Sequence, residues 1–207
     1  VLEMDVDERS KCGLFLAFQN PPEIPGVISA DFYKSAINSH LDKKVSLYKF
    51  YKQLEEACKE VKMPFDMVNR MLNEGFSGGE KKRNEILQMI LLNPSFVMLD
   101  EIDSGLDVDA INLVSEAIRK QFENNHTSFL VISHYARLFN LIKPTRAVVM
   151  INGKIVYEGK EDLIEKIDKE GYEWISKELG INIEKEDQVA MNKTSIGVCA
   201  TKETISK

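Results

Sequence analysis

Residues 76–107, FSGGEKKRNEILQMILLNPSFVMLDEIDSGLD, contain the strongest indications of the fold of this chain. This stretch places Ser77 three residues before Glu80, which is the spacing of a capping box, and continues with apolar residues at helical spacing. A short apolar run at 96–99 then precedes an acidic pair, and such runs are typical of strands buried in a parallel sheet. The succession of a capped helix and a buried strand predicts an α/β fold.

Two parts of this stretch carry chemistry. Gly78 and Gly79 allow phosphate oxygens to approach N–H groups at the positive end of the helix. Asp100 and Glu101 follow the strand. Because the carboxyl ends of strands in open α/β sheets face the ligand crevice, adjacent carboxylates there indicate metal or water chemistry. Taken singly, each part also fits an ordinary helix cap or a solvated acidic loop, so the functional interpretation depends on their order.

That order, SGGE, helix, strand, Asp-Glu and then SGLD at 104–107, resembles the signature motif, Walker B motif and D-loop of ABC-type ATPases. The segments FSGGEKKRNEILQM and LDEIDSGLDVDA are more similar to those of the SufC family. Its members are the ATPase subunits of the SUF iron–sulfur cluster assembly system. Most ABC ATPases read closer to LSGGQ and LDEPTSALD. The resemblance covers roughly residues 1–174. It implies an α/β, P-loop NTPase-like ABC-ATPase domain over 1–180, with a helical subdomain at about 30–90.

Two more predicted strands end at polar residues. The apolar run 14–18 is followed by Gln19, and the run 128–132 is predicted to be a buried strand that delivers His134. GLFLAFQNPPEIPGV resembles the Q-loop region of the SUF ATPases, although a tyrosine is usual there where this chain has Asn20, and SHYARL resembles their H-loop. The resemblance implies that Gln19 contacts metal and water and that His134 contacts the γ-phosphate.

The resemblance also implies a mechanism with ATP and Mg²⁺ as cofactors. In the family, ATP lies between two head-to-tail protomers, so Ser77, Gly78 and Gly79 of one protomer hold the γ-phosphate of the partner's nucleotide. The remaining implied roles are magnesium binding by Gln19 and Asp100, polarisation of the attacking water by Glu101, γ-phosphate contact by His134, and nucleotide contacts by Glu80 and by Asp107 of the D-loop.

Glu80 stands where many ABC ATPases have glutamine. A carboxylate close to a phosphate is repulsive unless a cation compensates its charge. We therefore expect Lys81, Lys82 or Arg83 to pair with Glu80.

A phosphate-binding loop reads G-x-x-x-x-G-K-[ST], with the lysine on the β- and γ-phosphates and the hydroxyl on magnesium. The 207-residue sequence contains no such string. In the family this loop precedes the position where this chain starts, so the resemblance predicts an N-terminally truncated ATPase without the Walker A half of its site.

Composition excludes several other classes of protein. The net charge of −6 and the pI near 5.3 argue against nucleic acid or an anionic membrane as the main partner. No apolar run reaches the roughly 18 residues of a membrane helix, so direct membrane insertion is not expected. The three cysteines have no CxxC or Cys/His spacing and are typical of reduced thiols. Cytoplasm is the default expectation, and an organelle stays open.

Three functions remain open at this point. The first is an ATPase subunit that drives cluster assembly on SufB/SufD-like scaffold partners. The second is the nucleotide-binding subunit of a membrane transporter. The segments EIPGV and EIDSGLD argue against it. The third is a non-catalytic subunit that keeps only the partner-docking surface.

Hydrophobic periodicity predicts the remaining elements. Before the signature segment they are a short helix within 1–13, a proline-rich loop at 20–26, two helices, and a short helix from Pro64 through Leu72. The second of the two helices carries an apolar stripe over 47–61. After the signature segment they are a helix over 109–122 with Phe122 on its apolar side, a hairpin around Asn152-Gly153, and a helix at 161–167. The polar segment 181–207 is predicted to be a mobile tail.

Overall fold

The computed structural model describes residues 1–180, and the predicted tail at 181–207 lies outside the described residues. The elements in chain order are α1 (Val6–Lys11), β1 (Leu14–Ala17), β2 (Ile24–Ile28), α2 (Ser29–Ser39), α3 (Leu47–Glu60), a 3₁₀ helix (Phe65–Asn69), β3 (Met71–Leu72), α4 (Gly78–Leu92), β4 (Phe96–Asp100), α5 (Val108–Asn125), β5 (Ser128–Ile132), α6 (Ala136–Ile142), β6 (Ala147–Ile151), β7 (Lys154–Gly159), α7 (Glu161–Glu170) and α8 (Glu173–Leu179).

The central sheet has three parallel strands in the order β1-β4-β5. The predicted parallel arrangement is therefore confirmed. Val97 and Leu99 of β4 are buried in one apolar cluster with Ile86 of α4 and Val114 of α5. The carboxyl ends of all three strands lie at the same edge of the sheet, because parallel strands run in one direction.

The prediction that residues 128–132 form a buried strand is wrong in its burial. β5 forms as expected, but its residues alternate between exposed and half-buried, and Leu130 is 46% exposed. β5 is the last strand on its side of the described sheet. Only one face of β5 packs on the core. Its continuous apolar run therefore does not mark a strand that is covered on both faces.

Two predictions in the region between Gln19 and Ser77 are wrong. Ile24–Ile28 forms a strand, where we predicted a loop at 20–26. It pairs antiparallel with Met71–Leu72, which we predicted to be the end of a helix. The ladder has an irregularity between its two registered pairs. Pro25 falls in that irregular part, where a residue without an N–H is tolerated.

The apolar stripe of α3 is confirmed for most of its length. Phe50, Leu54, Ala57 and Cys58 are buried, whereas Leu47 and Tyr51 remain exposed. In α5 the apolar side is buried, but the predicted member Phe122 is exposed.

The predicted hairpin is confirmed as β6 and β7, which pair antiparallel. Asn152 and Gly153 have φ angles of +50° and +73°, the left-handed conformation that tight hairpin turns require at both central residues. A second apolar cluster, which includes Val149 and Ile175, packs this hairpin against α7 and α8. Within residues 1–180, none of the helices combines the length and apolar character needed to cross a membrane.

Candidate active site at the carboxyl edge of the sheet

The parallel sheet brings three of the predicted site residues together. Gln19 follows β1, Glu101 follows β4, and His134 follows β5. The main chain turns sharply after β4, since Glu101 has a φ of +46° and its N–H donates to the Ile132 carbonyl at 2.9 Å. This turn directs the chain away from the sheet directly after the strand.

The Glu101 carboxylate is held by side chains from both neighbouring strand ends. Gln19 Nε2 donates to its Oε2 at 2.5 Å, and His134 Nε2 lies 2.6 Å from its Oε1. The Glu101 side chain is 19% exposed and that of His134 is 71% exposed. A carboxylate fixed at both oxygens and still open to solvent on the histidine side has the geometry of a general base for a water molecule.

Asp100 ends β4 and is half-buried beside this group. Asp100 would supply a carboxylate oxygen and Gln19 an amide oxygen, which are the hard oxygen donors that Mg²⁺ takes. Residues 1–180 hold no group of three or more His, Cys, Asp or Glu side chains that could bind a metal ion. Two protein ligands fit a magnesium ion whose other ligands are phosphate oxygens and water.

The signature segment begins α4 as predicted. Ser77 is the N-cap, and its Oγ accepts the Glu80 N–H at 3.3 Å while Glu80 Oε2 accepts the Ser77 N–H at 2.7 Å. A Cβ added at Gly78 meets no atom within 4 Å, and one at Gly79 meets only Leu106 at 3.8 Å. Packing of the described residues therefore leaves open space over the first turn, as an anion cradle at a helix N-terminus requires.

The expectation that a neighbouring lysine or arginine pairs with Glu80 is wrong. The hydrogen bond from the Ser77 N–H is the main reason that the pKa of Glu80 lies below its usual value. Lys81 instead pairs with Glu23 at 2.7 Å. The capping box thus binds the Glu80 carboxylate directly, and the charges of Arg70 and Arg83 favour its ionised form only as smaller effects.

Lys82 is a site residue that the sequence analysis missed. It is 5% exposed, and its Nζ donates to the carbonyls of Phe18, Gln19 and Glu101 at 3.3, 2.5 and 3.0 Å. Burial lowers the pKa of this amine. The available signal was its position four residues before Ile86, which places a lysine on the apolar face of α4.

Asp103 is the other residue that was missed. It is 3% exposed, and its Oδ2 accepts a hydrogen bond from Ser133 Oγ at 2.6 Å. Its Oδ1 has no hydrogen-bond partner among the described residues. Asp107, predicted to contact nucleotide, caps α5 by accepting the Ala110 N–H at 2.8 Å.

An open glycine turn at a capped helix N-terminus and a fixed carboxylate at the ends of parallel strands fit a nucleotide hydrolase, and comparison with known proteins agrees with this class. A family model described as "ABC transporter" matches residues 6–104. Vegetative protein 296 of Bacillus subtilis (strain 168) is 50% identical over 192 residues, which cover 92% of this chain and 73% of that protein. The chain belongs to the ABC ATPase family.

Two further comparisons bear on function and fold. The iron-sulfur cluster assembly protein SufC of Plasmodium falciparum (isolate 3D7) is 44% identical over 182 residues, covering 86% of this chain and 52% of that protein. Among solved structures, a dimeric ATP-binding cassette in a post-hydrolysis state, bound to ADP and Pi, matches with a TM-score of 0.67 at 19% identity. That match covers 77% of this chain and 68% of the other, and it shows the mixed α/β fold of an ABC ATPase.

Proposed function

We propose that this chain is the ATP-hydrolysing subunit of an iron–sulfur cluster assembly system and works on SufB/SufD-like scaffold partners. The observation that carries the hydrolytic part is the Glu101 carboxylate held between Gln19 and His134. Two observations support the assembly role: the sequences of the signature and Walker B segments, and the similarity to the Plasmodium SufC protein.

In this proposal Gln19 and Asp100 hold Mg²⁺, which neutralises phosphate charge when it is bound. Glu101 polarises the attacking water and takes up its proton, while Gln19 keeps the carboxylate oriented. His134 contacts the γ-phosphate. Ser77, Gly78 and Gly79 hold the γ-phosphate of a nucleotide on the partner protomer in a head-to-tail dimer.

The test is ATP hydrolysis by this chain extended at its N-terminus with the phosphate-loop segment of an ABC ATPase relative. Glu101→Gln removes the carboxylate charge and is expected to lower kcat by about 10²–10⁴-fold, the range for one general base. Glu116→Gln is the matched control, because Glu116 is an exposed carboxylate on α5. Turnover within a few-fold of the parent in Glu101→Gln would reject the assignment of the base.

A scaffold partner has an exposed apolar surface available to it. Leu47, Tyr48 and Tyr51 of α3 lie exposed and line one shallow pocket with Phe65. We expect Tyr51→Asp to abolish co-purification with SufB/SufD-like proteins, whereas Lys120→Asp on α5 retains it. Equal recovery of the scaffold with both variants would place the docking surface elsewhere.

The second candidate is the nucleotide-binding subunit of a membrane transporter. Relatives from Streptococcus pyogenes described as probable ABC transporter ATP-binding proteins are 45% identical over 188 residues, 90% of this chain. Co-purification from cells separates the two candidates. Recovery with integral membrane proteins favours the transporter subunit, and recovery with SufB/SufD-like proteins favours the assembly ATPase.

A further inference from the structure

Phe18 lies just beyond β1, where the ladder to β4 has ended with the pair Ala17 and Leu99. Its N–H donates to Glu85 Oε2 at 3.2 Å, and its carbonyl accepts a hydrogen bond from Lys82 Nζ. Glu85 belongs to α4 and is 5% exposed. A buried carboxylate from a helix therefore accepts the first main-chain N–H beyond the β1 ladder, one residue before Gln19.

Packing alone does not explain a carboxylate at this position. Burying a carboxyl group is unfavourable unless hydrogen bonds and an opposite charge compensate it. Burial is the larger effect at Glu85 and raises its pKa, while the hydrogen bonds from the Phe18 N–H and from Gln88 Nε2 at 3.3 Å and the charge of Lys82 offset only part of that cost. An apolar side chain of similar size would fill the same space. We therefore attribute the carboxylate at this position to its hydrogen bond with the Phe18 N–H.

The main chain at Phe18 and Gln19 is consequently held at three successive peptide groups by one face of α4. Glu85 binds the Phe18 N–H, and Lys82, three residues earlier, binds the Phe18 and Gln19 carbonyls. The Gln19 side chain leaves this stretch of main chain and is itself exposed, with its Nε2 on Glu101. Its direction depends on the main-chain conformation at Phe18 and Gln19.

We propose that Glu85 is a positioning residue that fixes the main chain at Phe18 and thereby holds the Gln19 side-chain amide against Glu101. The importance of that contact for hydrolysis rests on the proposed function, in which Gln19 binds Mg²⁺ and Glu101 polarises the attacking water. The contact itself is a property of this chain and is measurable without nucleotide.

The experiment compares the 207-residue chain with its Glu85→Leu and Glu85→Gln variants by NMR. Leucine removes the acceptor and is expected to speed hydrogen exchange of the Phe18 amide by about tenfold, the effect of one net hydrogen bond. It should also move the side-chain amide resonances of Gln19, while the Val97 and Leu99 amides of β4 keep their protection. Glutamine keeps an acceptor oxygen and should leave both signals as in the parent.

Two results would overturn the proposal. One is a Glu85→Leu variant in which the Gln19 amide resonances stay in place. The other is a loss of protection that is equal at Phe18, Val97 and Leu99, because that pattern reports a general packing role. Glu116→Leu, an exposed substitution on α5, controls for a new leucine.

A measurement without substitution covers the case in which Glu85→Leu does not fold. In the parent chain, scalar coupling across the hydrogen bond between the Phe18 nitrogen and the Glu85 carboxyl carbon is expected, and its absence would overturn the proposal. None of these readouts requires ATP. An inactive enzyme would therefore reject the proposed function and leave the positioning role to be decided by NMR alone.

Discussion

Lys82 contacts Glu101 through the main chain and not through the carboxylate. Its Nζ donates to the Glu101 carbonyl at 3.0 Å, whereas the Glu101 carboxylate oxygens contact Gln19 and His134. The amine thus joins the segments that follow β1 and β4 through their main chain. In this arrangement the lysine supports the positions of Gln19 and Glu101, and the carboxylate oxygens contact Gln19 and His134.

Replacement of Lys82 by methionine is expected to lower the free energy of unfolding by roughly 2–4 kcal/mol, because the carbonyls of Phe18, Gln19 and Glu101 lose their common donor. Urea unfolding measures this change. Lys81→Met is the matched control on the same helix. It removes a pair with Glu23 at the surface and should change the free energy by about 1 kcal/mol or less. Equal losses in the two variants would contradict the bridging role of Lys82.

His134→Ala in the extended chain is expected to lower kcat by about 10²–10⁴-fold, since it removes both a proposed γ-phosphate contact and the side chain on Glu101 Oε1. Nucleotide affinity should change far less, because His134 does not belong to the main phosphate cradle. Steady-state kinetics with a separate binding measurement tests this. His126→Ala, at the exposed end of α5, should behave like the parent. A large loss of affinity in His134→Ala at unchanged kcat would reject the assignment.

Glu85 predicts a pH dependence of stability. Burial raises the pKa of Glu85 from 4.5 to about 7 in the folded chain, so between these values the folded state keeps a proton that the unfolded state releases. The contribution to the free energy of unfolding is present below pH 4.5 and is lost as the pH rises through about 7, by roughly 3 kcal/mol.

Urea unfolding of the parent and of Glu85→Gln from pH 4 to pH 8 measures this contribution. The curve of the variant should lack the decline that Glu85 causes, and Glu116→Gln should follow the parent. Parallel curves for the parent and Glu85→Gln across this range would show that the Glu85 carboxyl is not the titrating group.

The proposed shared site predicts rescue between chains. The 207-residue sequence has the SGGE segment and no G-x-x-x-x-G-K-[ST] string, so two copies complete no site and the chain alone should not hydrolyse ATP. A full-length relative whose own signature serine is replaced by arginine is inactive with itself. Added chain should restore part of its magnesium-dependent turnover, because Ser77, Gly78 and Gly79 then act on the nucleotide of the relative.

Ser77→Arg in the added chain is the control and should restore nothing. A folded chain that binds the relative without restoring turnover would reject the shared site.

Local sequence patterns were enough to predict the elements around the site. Ser77 and Glu80 form the capping box that their spacing predicts, and the apolar run before Asp100 and Glu101 forms a strand of a parallel sheet. These features depend on residues a few positions apart, so their signals lie within one short window. The strand-end positions of Gln19 and His134 were predictable for the same reason.

The tertiary structure alone decided which polar groups meet. Lys82 and Glu85 are 63 and 67 residues from the backbone groups that they hold at Gln19 and Phe18, and no local pattern encodes such contacts. It also decided that Lys81 pairs with Glu23, that Ile24–Ile28 pairs with Met71–Leu72, and that β5 is exposed on one face. Burial and pairing partners depend on how distant segments pack, whereas caps and hydrophobic periods depend on neighbours along the chain.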